Sequence, residues 1–271
     1  MKYALTALAV AGAMIVAEAV AELGAVVSSF PAPPRSYPMA LARSRDALYA
    51  YCKLDAGPAR ALIYKLNPQT GSVENEFGLP RRPYENYGGL AYTSDGSLWT
   101  ANGTIDSLYQ LDAETGSVKK SFALYGAGVT GLAARHNPAT GGPIRGIWAK
   151  TYRPEGITLY DHVTGEIKVR WLWSPDGFDI AWLYGKGLLL SGLITESGYY
   201  CRAFTPQGKV VATFPAPTRN ELYGFAYYEG YLWVSATRTE ASYDPYIWQL
   251  DVRDLLAVNP ASLGRVKALF R

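Results

Sequence analysis

Three carboxylates occupy comparable positions in the chain, each just before or at the start of a short apolar segment. They are Glu85, Asp179 and Glu221. Carboxylate oxygens are the ligands that a hard cation such as calcium prefers, so three such side chains meeting at one end of a fold could bind calcium. Each of them alone is more often a charge on a loop. The calcium site and the three separate loop charges therefore both stay open.

Further polar and aromatic residues lie near these carboxylates in segments that we expect to be loops. The predicted ligand-binding set is Tyr84, Glu85, Asn86, Arg153, Asp179, Asn220, Glu221 and Tyr223. The same kind of loop also contains other charged and aromatic residues, namely Arg81, Arg82, Tyr87, Lys150, Tyr152, Glu155, Trp173, Asp176, Glu196, Arg219, Arg238, Glu240, Tyr243 and Asp244. Such residues could line a concave pocket for a small molecule or a protein partner. The alternative is that they are ordinary exposed loop residues and that the tyrosines cover strand ends.

Residues for nucleophilic or zinc chemistry are few. The two histidines, His136 and His162, both fall in predicted turns, where we expect them to be solvated. Cys52 and Cys201 fall in the first and fourth units of the repeat described below, and these units are not neighbours in a ring of five. A disulfide would need close Cα atoms, so we expect two free, buried thiols.

One short motif recurs along the whole chain and predicts the elements that carry these residues. It reads glycine, any residue, Val or Ile, three residues, then Phe or Trp, and successive glycines are 43 to 56 residues apart. The copies begin at Gly24, Gly71, Gly116, Gly165, Gly208 and Gly264. This period is typical of the four-stranded blades of a β-propeller. The predicted fold is all-β.

A second recurring piece sets the number of blades. It is a pair of short apolar strands with small residues in the first, as in Gly89-Leu90-Ala91 followed by Leu98-Trp99, and it occurs five times. Five blades and six copies of the outer motif leave one copy over. We therefore predict a single five-bladed propeller closed by one terminal strand, either the one after Gly24 or the one after Gly264.

The strand order predicts two different faces. One face collects the polar loops that contain the predicted ligand-binding set. The opposite face is formed largely by Asp-Gly and Thr-Gly turns, whose residues are explained by turn geometry, so we interpret it as structural.

The first 21 residues have the charged start, apolar centre and small-residue end of a secretory signal peptide, and residues 22–271 form the predicted propeller domain. An uncleaved membrane anchor is the alternative. We expect a secreted or periplasmic protein with no membrane span after cleavage. The net charge of +3 is spread along the chain without a basic stripe, so nucleic acid is not expected as a partner.

Two segments resemble known families. The runs 108–116 and 95–99 resemble blades of secreted propellers of the NHL, quinoprotein-like and gluconolactonase-like groups. Asn220-Glu221-Leu222 with Gly230-Tyr231-Leu232-Trp233 resembles a segment of the five-bladed glutaminyl cyclotransferases. The first resemblance implies the fold. The second implies an activity of the cyclotransferase type. Our leading interpretation is a secreted, non-catalytic propeller that binds a ligand or a protein partner. The alternative is an enzyme of the cyclotransferase or metal-dependent lactonase type, with Glu221 or Glu85 as acid/base and carboxylates holding a metal.

Overall fold

The computed structural model describes residues 22–54, 61–79, 88–102, 107–124, 127–137, 139–153, 155–236 and 245–257. Within these residues the chain forms five four-stranded antiparallel sheets, which are the blades of a β-propeller. The predicted signal peptide and the motif copy that begins at Gly264 lie outside the described residues. The fold class predicted from the repeat is confirmed.

The blades follow one another along the chain. Blade 1 contains β2 (Ser36–Arg43), β3 (Leu48–Leu54), β4 (Ala61–Leu66) and β5 (Val73–Gly78). Blade 2 contains β6 (Leu90–Thr93), β7 (Ser97–Asn102), β8 (Ser107–Asp112) and β9 (Val118–Ala123). Blade 3 contains β10 (Ala127–Ala134), β11 (Ile147–Arg153), β12 (Glu155–Tyr160) and β13 (Ile167–Trp171). Blade 4 contains β14 (Ala181–Leu183), β15 (Leu188–Thr195), β16 (Gly198–Phe204) and β17 (Val210–Pro215). Blade 5 contains β18 (Leu222–Tyr228), β19 (Tyr231–Ala236), β20 (Tyr246–Asp251) and β1 (Val26–Pro31).

Burial decreases from the axis to the rim of each blade. In blade 1 nearly all of β2 is buried, whereas β5 is almost fully exposed. The inner strands are covered on both sides by neighbouring blades, so their apolar residues leave water on both faces. α1 (Arg253–Ala257) follows the last strand, and no helix in the described part of the chain is long and apolar enough to cross a membrane.

The N-terminal strand closes the ring. β1 pairs antiparallel with β20, with Phe30 opposite Ile247 and Ser29 opposite Trp248. It therefore supplies the outer strand of blade 5. Of the two terminal strands that the sequence left as alternatives, the one after Gly24 closes the ring.

Contacts between blades explain the recurring motif. Gly71 has φ +73°, and a Cβ added there would lie 2.3 Å from the Phe30 ring. The aromatic residue of one copy thus packs on the glycine of the next blade, where a side chain would clash and the positive φ would be strained. The same contact joins Gly116 with Phe77, Gly165 with Phe122, and Gly24 with Phe214. In blade 4 the corresponding Gly208 meets Trp173 instead of Trp171.

The connections define two faces, named here for their content. The loop face carries the connections between blades and those between second and third strands. The turn face carries the other two connections of each blade.

Cys52 in blade 1 and Cys201 in blade 4 are free and buried, as predicted, and burial raises the pKa of Cys52 to about 12.

Candidate functional site

Asp179 lies at the axis and is fully buried. Its Oδ2 accepts hydrogen bonds from the backbone N–H groups of Phe225 (2.9 Å) and Leu41 (3.4 Å), and its Oδ1 accepts one from Leu132 (3.2 Å). Burial raises the pKa of this carboxyl well above its usual range, and the backbone N–H donors oppose that shift. The carboxyl group thus accepts hydrogen bonds from the inner strands of blades 5, 1 and 3, and it links these strands at the centre of the ring.

Glycine makes this arrangement possible. A Cβ added to Gly131 would lie 2.8 Å from both Cα and Oδ1 of Asp179, so only glycine lets β10 approach the carboxyl this closely. A cavity of about 40 Å³ lies among the five inner strands and is lined mainly by their apolar residues, among them Leu41, Leu90 and Ile180. The axis is therefore packed with apolar side chains at this level.

These observations bear on the predicted calcium site. Asp179 directs its oxygens at backbone N–H groups, and Glu85 lies outside the described residues. No group of three or more His, Cys, Asp or Glu side chains that could hold a metal ion occurs among the residues that the structure describes. The three hydrogen bonds give Asp179 a structural role at the axis, and a cation site that includes Glu85 and Glu221 stays a prediction.

A pocket of about 490 Å³ opens on the loop face between blades 3, 4 and 5, and we call it the loop-face pocket. Its polar lining comes from strands of blade 3, from the connection between blades 3 and 4, and from the residue before β18. The lining is Gly128, Thr130, Lys150, Thr151, Tyr152, Glu155, Ser174, Pro175, Asp176, Gly177, Phe178, Ile194 and Glu221. Its size and mixed lining are those of a small-molecule site.

A β-bulge places the polar groups of blade 3 in this pocket. The pairing of β10 with β11 shifts between Val129 and Gly131, which leaves Thr130 outside the regular register and sets Gly131 opposite Lys150. Bulges redirect side chains in this way and are frequent beside functional sites. Thr130 is 7% exposed, and its Oγ1 has no hydrogen-bond partner among the described residues. A hydroxyl in that state is available to a ligand.

Lys150 is the most unusual group in the pocket. It is 6% exposed, and no described carboxylate lies within ion-pair distance of its Nζ. Burial lowers its pKa to about 8, while the negative charges of Asp179, Glu155 and Asp176 oppose that decrease. The pocket thus contains a buried cation that a ligand oxygen can approach.

Glu221 and its neighbours form the opposite wall. The Tyr223 hydroxyl donates to Glu221 Oε2 at 2.7 Å, and the Tyr223 ring stacks on Phe178 with 4.7 Å between centroids. One tyrosine therefore fixes both a carboxylate and an aromatic ring at the pocket. Asp176 is held more loosely, since its Oδ2 is 3.8 Å from Arg202 Nη1 and its side chain is 65% exposed.

The predicted ligand-binding set is divided by the structure. Glu221 lines the pocket, Tyr223 supports it, and Asn220 donates instead to Thr218 Oγ1 at 2.9 Å. The backbone of Arg153 ends β11, and its side chain, like all of Tyr84, Glu85 and Asn86, lies outside the described residues. Thr130 and Phe178 were not in the set. No residue pattern predicts a bulged threonine. Lys150 was expected in a loop, and the structure places it in β11, between Ala149 and Thr151.

The histidines lie on the turn face, as expected, but His136 is not solvated. It is 6% exposed, its Nε2 accepts a hydrogen bond from the backbone N–H of Ser94 at 3.1 Å, and burial lowers its pKa to about 4. It therefore joins blade 3 to blade 2 and remains neutral near pH 7.

Comparison with known proteins supports the fold. No protein-family model matches the chain, and no curated protein matches it. Among solved structures it is similar to the crystal structure of Myxococcus xanthus glutaminyl cyclase, with 10% identity and a TM-score of 0.59 over 84% of this chain and 97% of that one. A chain of the mitotic checkpoint complex aligns with 15% identity and a TM-score of 0.44 over 77% of this chain and 60% of that one. At such identities the likeness to the glutaminyl cyclase is one of fold: this chain is a five-bladed β-propeller.

Proposed function

We propose that this protein binds a small polar molecule in the loop-face pocket. Two polar residues that line the same cavity carry the proposal. Lys150 is 6% exposed and forms no ion pair with a described carboxylate, and the buried Thr130 Oγ1 has no hydrogen-bond partner among the described residues. Burying polar groups without hydrogen bonds destabilises a fold, so such groups are retained where a bound molecule satisfies them.

The lining also limits the chemistry of the ligand. An oxygen acceptor, such as a carboxylate or an amide carbonyl, suits the Lys150 ammonium, and an amine or amide donor suits Glu155, Asp176 and Glu221. Phe178 offers an apolar wall fixed by Tyr223. These features together favour a small molecule with both an acceptor and a donor end, as in an amino acid or the end of a peptide.

Ligand-detected NMR with L-glutamine and a glutaminyl dipeptide tests this proposal. We expect binding to the wild type and at least tenfold weaker binding to Lys150→Met, while Lys53→Met, at an exposed lysine, serves as control. Binding should weaken as the pH rises through about 8, because Lys150 then loses its proton. Equal binding by all three proteins, or binding by none of them, contradicts the proposal.

An enzyme of the glutaminyl cyclotransferase type is the second candidate. It is favoured by the fold shared with a glutaminyl cyclase and by the Glu221 carboxylate held by Tyr223 in the pocket. In that reaction the α-amine attacks the side-chain carboxamide carbon and ammonia leaves, so one carboxylate could accept and return the proton. The metal-dependent lactonase alternative gains no such support, since the described residues offer no three-ligand metal group.

Ammonia release from a glutaminyl peptide separates the two candidates. The enzyme candidate requires turnover by the wild type and its loss in Glu221→Gln, with peptide binding retained. Binding without ammonia release favours the non-catalytic candidate. Export of the protein, expected from residues 1–21, remains a proposal, and N-terminal sequencing of the mature protein checks it.

A further inference from the structure

The turn face carries a second cavity, which shares no lining residue with the loop-face pocket. It is a groove of about 710 Å³ between blades 3 and 4, and we call it the basic groove. Three connections form it: the segment that joins β10 to β11, the turn between β14 and β15, and the turn between β16 and β17. The sequence predicts a set of structural turns on this face. Turn geometry alone does not require a concave groove there.

Positive charge dominates the groove. Arg135, Arg145, Lys186 and Lys209 line it, and none of its lining residues is a carboxylate. None of these four cations forms an ion pair with a described carboxylate, whereas the described ion pairs employ Lys65, Lys119, Lys168, Arg202 and Arg253. Cations gathered around a concave surface without counter-charges create a positive potential that attracts anions.

Neighbouring acids do not neutralise this charge by contact. Asp254 precedes the lining residue Leu255 on α1, and its side chain is exposed. Glu229 of blade 5 lies near the groove, because its backbone N–H donates to the hydroxyl of the lining residue Tyr184 at 2.6 Å. Its carboxylate forms no ion pair with the four cations.

An aromatic wall accompanies the charges. Trp182 and Tyr184 line the groove, and the Arg135 guanidinium lies 5.9 Å from the centroid of the Trp182 ring. This cation–π contact holds the guanidinium beside the indole, where it can also donate to a bound oxyanion.

We propose that the basic groove binds a small, multiply charged oxyanion such as a phosphate ester, with its charges at Arg135, Arg145, Lys186 and Lys209. Charge-assisted hydrogen bonds from guanidinium and ammonium groups recognise phosphate oxygens directly, and an anion also relieves the repulsion among the four cations. A flat ring attached to the phosphate would contact Trp182. The proposal is independent of the function proposed for the loop-face pocket.

Isothermal titration calorimetry of the full chain with inorganic pyrophosphate and with ADP tests this site. The two probes distinguish a free anion from one that carries a flat ring. The groove variant is Arg145→Gln with Lys186→Gln, and the matched control is Lys53→Gln with Arg219→Gln, which removes the same charge from exposed positions outside the groove. Because all four positions are exposed, thermal unfolding should show that both variants fold.

We expect the groove variant to bind pyrophosphate at least tenfold more weakly than the wild type and the control variant to bind it unchanged. Binding should also weaken with added salt, because exposed charges are screened. Tighter binding of ADP than of pyrophosphate would indicate the aromatic contact. No binding of either probe at millimolar concentration overturns the proposal, and so does an equal loss in both variants. Lys150→Met should leave this binding unchanged, which separates it from the loop-face pocket.

Discussion

The backbone N–H of Phe225 in blade 5 donates a 2.9 Å hydrogen bond to Oδ2 of Asp179, which precedes the inner strand of blade 4. The same carboxylate accepts from Leu41 in blade 1 and Leu132 in blade 3. One buried side chain therefore links the inner strands of four blades at the axis. Such a contact couples blades that are distant in sequence.

Asp179→Ala should therefore strongly destabilise the protein. The substitution removes both acceptor oxygens, so the backbone N–H groups of Phe225, Leu41 and Leu132 lose their partner. A loss of at least about 3 kcal/mol in the free energy of unfolding is expected, at roughly 1–3 kcal/mol for each buried group left unsatisfied. Urea denaturation measures it. Asp176→Ala, at an exposed carboxylate, is the control and should stay within about 0.5 kcal/mol of the wild type.

The recurring motif could be predicted from the sequence because every blade needs the same contact. Gly71 and Phe30 are required by one packing geometry, which repeats from blade to blade, so their types and spacing also repeat. Asp179 shows the limit of this reasoning. A carboxylate at the start of a strand has the residue type of a cation ligand, and only the backbone N–H groups around it, which carry no residue-type signature, show that it is structural.

The candidate site could be predicted in part. Glu221 is a polar residue directly before the inner strand β18 and Tyr223 lies at its start, and the repeat places such residues on the loop face. Thr130 could not be found, because it reaches the pocket through a shift in strand pairing between Val129 and Gly131. That shift depends on how two strands fit together and not on the threonine itself.

Gly116→Ala tests the contact between blades. It should destabilise the protein for two reasons: φ is +70°, and the added Cβ would lie 2.4 Å from the Phe77 ring. Gly96→Ala is a matched control, with φ +76° and no atom within 4 Å of the added Cβ. The strain of the positive φ, about 1–2 kcal/mol, is common to both substitutions. Thermal or urea unfolding should therefore show a larger loss for Gly116→Ala, and equal losses would mean that the Phe77 contact contributes nothing.

His136 should make stability depend on pH. Its pKa in the folded protein is about 4, below the ordinary value of 6.5, so the unfolded chain binds a proton first as the pH falls. The stabilisation is fully present above pH 6.5 and is lost as the pH falls toward 4, by up to about 3 kcal/mol. In His136→Gln, whose amide oxygen can still accept from Ser94 N–H, urea denaturation should show a smaller loss over this range. His162→Gln is the control. Burial also lowers the pKa of His162, but this histidine is less buried than His136, so His162→Gln should retain more of the pH dependence than His136→Gln does.

Phe30→Ala tests the closure of the ring by the N-terminal strand. Phe30 is 6% exposed, lies opposite Ile247 of β20 and covers Gly71 of blade 1, so its ring joins the two ends of the propeller. Removing it should lower the free energy of unfolding by about 3–5 kcal/mol, as for other buried phenylalanines. Val27→Ala changes a residue of the same strand that is 52% exposed, and it should have little effect. Because closure connects blade 5 to blade 1, the Phe30 variant should also unfold less cooperatively, with a lower denaturant m-value. A wild-type midpoint and m-value in Phe30→Ala would contradict the assignment of β1 as the strand that stabilises the closed ring.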